Sequence, residues 1–120
     1  MEQVGDESDP GDGVDAGSMS MVCDRVGPRV VMVLTGDLDL VGGDAVEAAV
    51  AGLVADGVEQ VWVRAEGVGF MDSSGLGGLL AARAKVVEAG GVFRFGSATD
   101  AVARVIELAG VGDLLGPTAV

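Results

Sequence analysis

The sequence predicts an α/β domain: a small mixed sheet of four to five strands with three or more helices. Two observations carry that reading. Short Val-rich runs alternate with longer stretches whose apolar residues recur at helical spacing, in the order ββαβαβα. Glycine, or Gly-Pro, punctuates most of the junctions between them. Strands that alternate with helices imply parallel neighbours joined by right-handed crossovers. Only the first two strands, joined by a short turn, are expected to run antiparallel. A chain of 120 residues fits one domain whose core is large enough to fold without staples.

Residues 1–17, MEQVGDESDPGDGVDAG, are polar, acidic and Gly-rich. They hold too little apolar surface to offset ordering entropy and are expected to be disordered, as a solubilising tail or a specific binding arm. The domain proper is expected over 18–120. Met19 to Arg25 reads as the first strand, with Met19, Met21 and Cys23 on one face and Ser20, Val22 and Asp24 on the other. Gly27-Pro28 turns the chain into Arg29–Leu34, whose unbroken apolar run predicts a strand buried on both faces.

Thr35 to Gly43 reads as a loop leading into a helix from about Asp44 to Ala55, with Val46, Val50 and Leu53 forming a buried stripe. Asp44 and Glu47 would then lie in its first turns, where the helix dipole favours acids. Val58–Arg64 is the third strand, with Val61 and Val63 opposite Trp62 and Arg64. A loop follows, then a helix from about Ser74 to Ala89 with Leu76, Leu79, Leu80, Ala84 and Val87 inward. Gly90-Gly91 ends it. Val92–Phe95 is a fourth strand, and Thr99 or Ser97 caps a third helix running to about Ala109. The closing VGDLLGPTAV is too short and broken to predict another helix.

Composition narrows the function. The net charge of −12 disfavours nucleic acid and anionic membrane surfaces. Six of the 19 acids fall in residues 1–17, which hold no base. The absence of Tyr and the single Trp argue against stacking platforms for single strands. Trp62 reads as packing on the sheet. Cys23 is the only cysteine, so no internal disulfide is possible, and it reads as a small apolar residue rather than a reactive thiol. No signal peptide and no apolar run of about 20 residues is visible, so the chain reads as cytoplasmic, without a membrane span.

The chemistry gathers at Gly69-Phe70-Met71-Asp72-Ser73-Ser74-Gly75-Leu76-Gly77, a strand-to-helix junction. Such junctions lie on the sheet edge where ligands and partners meet an α/β fold. Ser73 either caps the helix or presents an exposed hydroxyl. A phosphate there would sit near unpaired N–H groups at the positive end of the helix dipole. It would also bring roughly −1.5 to −2 charge into any interface on that edge.

Catalysis is disfavoured. The chain has no histidine to serve as base, and its only lysine, Lys85, lies 12 residues beyond Ser73, about three helical turns away. Gly75-Leu76-Gly77-Gly78 matches neither a dinucleotide nor a Walker loop, so no cofactor is expected. Asp37 and Asp39 form a D-x-D pair, but the further oxygen ligands of a metal loop are missing, so no metal is expected. Their expected roles are turn and cap chemistry, or partner contact. With parallel strands, Asp39 and Asp72 emerge on the same edge.

These residues resemble the STAS domain of bacterial anti-sigma factor antagonists. Thr35-Gly36-Asp37-Leu38-Asp39 is similar to the family's T-G-[ED]-[LI]-D segment, and Phe70-Met71-Asp72-Ser73-Ser74-Gly75-Leu76 to its F-[ML]-D-S-[ST]-G-[LI] signature. Gly90-Gly91 and the stretch Ala101 to Gly110 follow the same pattern, and the resemblance runs from about Met19 to Leu115. It implies a STAS-type βα superhelix that acts as a non-enzymatic partner switch in transcription regulation. The unphosphorylated form would bind an anti-sigma factor serine kinase and free the sigma factor. Phosphorylation of Ser73 would release the complex, and a serine phosphatase would restore it. Asp37, Asp39, Asp72, Ser74 and Gly75 fall on the implied partner-binding edge. The free protein is expected to be a monomer. The alternative is a non-switching STAS scaffold subunit of a stressosome-like or transporter-associated assembly.

Overall fold

The computed structural model describes residues 12–115. The elements in chain order are β1 (Asp12–Ala16), β2 (Met19–Val26), β3 (Arg29–Leu38), α1 (Leu40–Ala55), β4 (Gln60–Met71), α2 (Ser73–Glu88), β5 (Val92–Gly96), α3 (Asp100–Leu108) and the single turn α4 (Gly112–Leu115). The five strands form one sheet in the order β1-β2-β3-β4-β5. The first three run antiparallel, while β4 is parallel to β3 and β5 parallel to β4. The mixed sheet and its parallel half follow the expectation from sequence.

The edge strand β1 departs from it. Residues 1–11 of the expected disordered tail lie outside the described residues, but Asp12–Ala16 is ordered as a strand on β2. Backbone pairing through the Gly17-Ser18 turn explains this, helped by an Asp15 carboxylate that accepts from Ser20 Oγ at 2.7 Å. Hydropathy is blind to a strand held mainly by its ladder.

The core lies between one face of the sheet and the helices. Met19, Met21, Val30, Met32, Leu34, Val61, Val63 and Phe95 point into it, and Val46, Val50, Leu79, Ala82, Val86, Val102 and Ile106 meet them from the helices. The expectation that Arg29–Leu34 is buried on both faces is therefore corrected. Val30, Met32 and Leu34 are fully buried, while Arg29, Val31 and Val33 are only half-buried on the face away from the helices.

Two further boundaries move. Strands β3 and β4 extend to Leu38 and Met71, through segments expected as loops, and their ladder takes up register shifts beside Thr35 and between Gly36 and Asp37. Gly36 has φ +95°, and a Cβ there would strike the Ser18 carbonyl, so only glycine fits. Helix α1 begins at Leu40 rather than Asp44, with Gly42 and Gly43 inside it; Asp44 and Glu47 consequently lie beyond its first turn. Within α2 the buried stripe is Gly75, Leu76, Gly78, Leu79, Ala82 and Val86, so Val87 faces solvent rather than the core.

The reason for both shifts is close backbone packing between α1 and α2. A Cβ on Gly43 would sit 3.0 Å from the Ser74 carbonyl oxygen, and one on Gly78 would overlap the backbone of Gly43. The small residues are the contact surface, so the helix turns them inward.

All three longer helices end alike. Gly57, Gly90 and Gly110 take positive φ just past the caps, and the next amides (Val58, Gly91, Val111) bond back to Leu53, Val86 and Ile106. The final segment, expected to lack a helix, forms one turn that seats Leu115 in the core.

Candidate functional site

The parallel pairing of β3 with β4 builds the site. Leu38 is in register with Met71, so the residues that follow, Asp39 and Asp72, leave the sheet side by side. Each takes extended backbone angles and caps a helix. Asp39 Oδ1 accepts from the Gly42 amide at 3.1 Å, and Asp72 Oδ1 accepts from the Gly75 amide at 2.8 Å. The Asp72 amide in turn donates to the Leu38 carbonyl at 3.3 Å, tying the two junctions together.

This arrangement resolves the two readings of Ser73. Asp72 is the cap, so Ser73 is the first residue of α2 and its hydroxyl is left over. Ser73 is exposed, and among the described residues its hydroxyl has no hydrogen-bond partner. Ser74 beside it is also exposed. A side chain in this first turn stands among N–H groups without intrahelical partners, where an added anion is favoured.

The other expected site residues divide. Asp37 is exposed near the end of β3, where its amide donates to the Ser18 carbonyl at 3.1 Å. Asp39 and Asp72 are half-buried by their capping bonds. Gly75 is buried, because a Cβ there would overlap the Leu38 carbonyl. Its contribution is the amide it gives Asp72 and the close approach of α2 to the sheet, not a surface of its own. Lys85 reaches Glu47 of α1 at 3.5 Å, far along α2 from Ser73.

Three residues at this end were not read from sequence as exposed apolar contacts, although Phe70 lies in the quoted signature. Leu40, Val41 and Phe70 are large, apolar and about half exposed. Leu40 and Val41 occupy the first turn of α1 beside Asp39, and Phe70 precedes Met71 on β4. A usable signal was present: each apolar residue adjoins the capping-aspartate segment, at positions that a helix or strand core does not claim. The edge therefore combines an uncommitted hydroxyl, carboxylates and exposed apolar side chains. Among the described residues no group of three or more His, Cys, Asp or Glu is placed to hold a metal, and no helix is long and apolar enough to cross a membrane.

A mixed sheet backed by helices, with two neighbouring parallel strands each feeding an aspartate-capped helix, defines a domain of the STAS class. The family described as "Mlab, STAS domain" matches residues 21–116, and the chain belongs to that family. The fold is shared with solved structures. The anti-sigma factor antagonist SpoIIAA in its unphosphorylated form superposes with a TM-score of 0.72 at 23% identity, over 82% of this chain and 88% of that one. The phosphorylated form of the Bacillus cell-fate determinant SpoIIAA gives 0.65 at 22% identity, over 82% and 91%. An anti-sigma factor antagonist from Mycobacterium paratuberculosis gives 0.69 at 24% identity, over 89% and 92%. No curated protein matches in sequence.

Proposed function

We propose that this protein is an anti-sigma factor antagonist switched at Ser73. Unphosphorylated, it binds an anti-sigma factor serine kinase through the edge around Ser73 and so frees the sigma factor. Phosphorylation of Ser73 by that kinase releases the complex, and a serine phosphatase restores the binding form. The domain is the kinase's substrate and holds no nucleotide of its own. Asp37, Asp39, Asp72 and Ser74 line the contact, Leu40, Val41 and Phe70 supply its apolar part, and Gly75 acts by keeping the edge in shape.

The observation that carries this reading is the division of labour between Asp72 and Ser73. Because the aspartate caps α2, the serine hydroxyl is exposed and, among the described residues, makes no bond that phosphorylation would break. The helix N-terminus lets the fold tolerate the new anion. A partner docked on the same edge meets roughly −1.5 to −2 added charge beside carboxylates already present. Transcription regulation, the phosphorylated state and a cytoplasmic location follow from this proposal together.

The test is binding of the kinase-type anti-sigma factor to three forms of the chain. The parent and Ser73→Ala should bind alike without ATP, and Ser73→Ala should stay bound when ATP is added. Ser73→Glu should bind at least about tenfold more weakly, or about 1.4 kcal/mol. Equal binding by Ser73→Glu and the parent would remove the switch and leave a fixed scaffold subunit as the better account.

A further inference from the structure

Among the described residues the helices cover one face of the sheet and leave the other open. Ladder register places Asp24, Val31, Trp62 and Arg94 in one row across that face. The Arg29 guanidinium lies 4.4 Å from the centre of the Trp62 ring, and that of Arg94 lies 5.8 Å from it. Val22, Val26 and Val92 on the same face are 47%, 61% and 43% exposed. The result is a partly apolar surface, centred on an indole between two arginines.

Two features of this surface are incomplete. Trp62 Nε1 is shut off from solvent and has no hydrogen-bond partner among the described residues. A buried N–H without an acceptor is a cost that a fold ordinarily avoids. Arg29 and Arg94 also lack a carboxylate partner among the described residues, whereas Arg64, further along the same face, is paired with Glu66 at 2.9 Å. Two guanidiniums on one ring, with no carboxylate among the described residues to neutralise them, make a local positive site in a chain of net charge −12. Asp24 and Asp15 lie on the β2 and β1 side of the face, and Asp15 is engaged with Ser20.

An occupant of matching chemistry is tethered nearby. Residues 1–11 carry Glu2, Asp6, Glu7 and Asp9, no base, and the apolar Met1 and Val4. They enter the fold at Asp12, whose ladder partner Cys23 adjoins Asp24 of the Trp62 row. From β1 to β4 is three strand spacings, about 14 Å. Eleven residues can reach up to about 36 Å. Tethering supplies an effective concentration on the order of millimolar.

We propose that the acidic N-terminal segment, residues 1–11, docks across the open face of the sheet. Its carboxylates neutralise Arg29 and Arg94, and its docking covers the indole face between them. This surface is separate from the Ser73 edge, so the inference stands or falls independently of the proposed switch.

Trp62 is the only tryptophan, so its fluorescence and its indole N–H resonance report this site alone. The experiment compares the full chain with a full-length variant carrying Glu2→Gln, Asp6→Asn, Glu7→Gln and Asp9→Asn. Neutralisation should lower the ratio of docked to undocked chains about fivefold. It should raise acrylamide quenching of Trp62 and move the indole N–H resonance. Salt at about 0.5 M should shift the parent toward the variant. In an Arg29→Gln/Arg94→Gln background, neutralising the segment should change neither signal. Equal quenching and equal indole shifts in parent and variant would overturn the proposal. So would shielding that grows with protein concentration in both, which would assign the face to a second copy. A response to neutralisation that persists without the two arginines would equally overturn it.

Discussion

Asp39 and Asp72 occupy equivalent positions on adjacent parallel strands, and each caps the following helix by accepting from the amide of a glycine three residues on. The segments read Asp39-Leu40-Val41-Gly42 and Asp72-Ser73-Ser74-Gly75. One cap presents apolar side chains in the first turn and the other presents hydroxyls. The same local geometry thus supplies two kinds of surface at one end of the sheet.

The Asp72 cap has a measurable share in stability. Asp72→Ala should destabilise the domain by about 1–2 kcal/mol, and Asp72→Asn, which retains an acceptor, by much less. Urea unfolding checks this: the midpoint should fall with little change in slope.

Ser73 should behave oppositely. Its hydroxyl is exposed and bonded to nothing described, so Ser73→Ala should leave stability within about 0.5 kcal/mol of the parent. A larger loss in the same urea titration would mean that the hydroxyl is structural.

Two glycines in one helix separate packing from propensity. A Cβ on Gly75 would overlap the Leu38 carbonyl, whereas one on Gly77 meets nothing within 4 Å. Gly75→Ala should cost at least about 2 kcal/mol. Gly77→Ala should raise stability by about 0.5–1 kcal/mol through helix propensity alone. Thermal unfolding of the two variants should therefore shift in opposite directions.

Thr99 carries two bonds with one hydroxyl. It accepts from the Val102 amide at 3.3 Å as the cap of α3, and it donates to the Val68 carbonyl at 2.8 Å, fastening that cap to β4. Thr99→Val keeps the shape and removes both, so a loss of about 1–3 kcal/mol is expected in urea unfolding.

How much of this was legible in the sequence depends on what each feature is made of. Strands β2 and β5 and the inner half of β4 were readable, and the cap of α3 was narrowed to Thr99 or Ser97, of which Thr99 is the cap, because alternation and capping chemistry are local. So was the Asp72-Ser73-Ser74-Gly75 junction, as a junction. Which of its residues caps was not, since Asp72 and Ser73 are both good caps and only the helix start decides. The early start of α1 at Leu40 was hidden by Gly42-Gly43, which read as a breaker; Gly43 is glycine because it packs on α2 and Gly42 because it packs partly on Met19 of β2, both outside any local window. The inward face of α2 was misjudged at Val87 for the same cause, because glycines score as gaps when they are in fact the contact. Strand β1 escaped because its residues are acidic and small, and the edge of a sheet asks little more than backbone pairing. The open face was missed because an unbroken Val-rich run does not distinguish a strand covered twice from one covered once.

The account rests on Ser73 being a hydroxyl that a kinase can reach and on its modification being the event that matters. Incubation of the full chain with its anti-sigma factor kinase and ATP, followed by mass analysis of the intact protein and its peptides, tests this most directly. The account predicts a single added phosphate located on Ser73, and none on the Ser73→Ala variant. An unmodified chain, or a phosphate on any other residue, would contradict it.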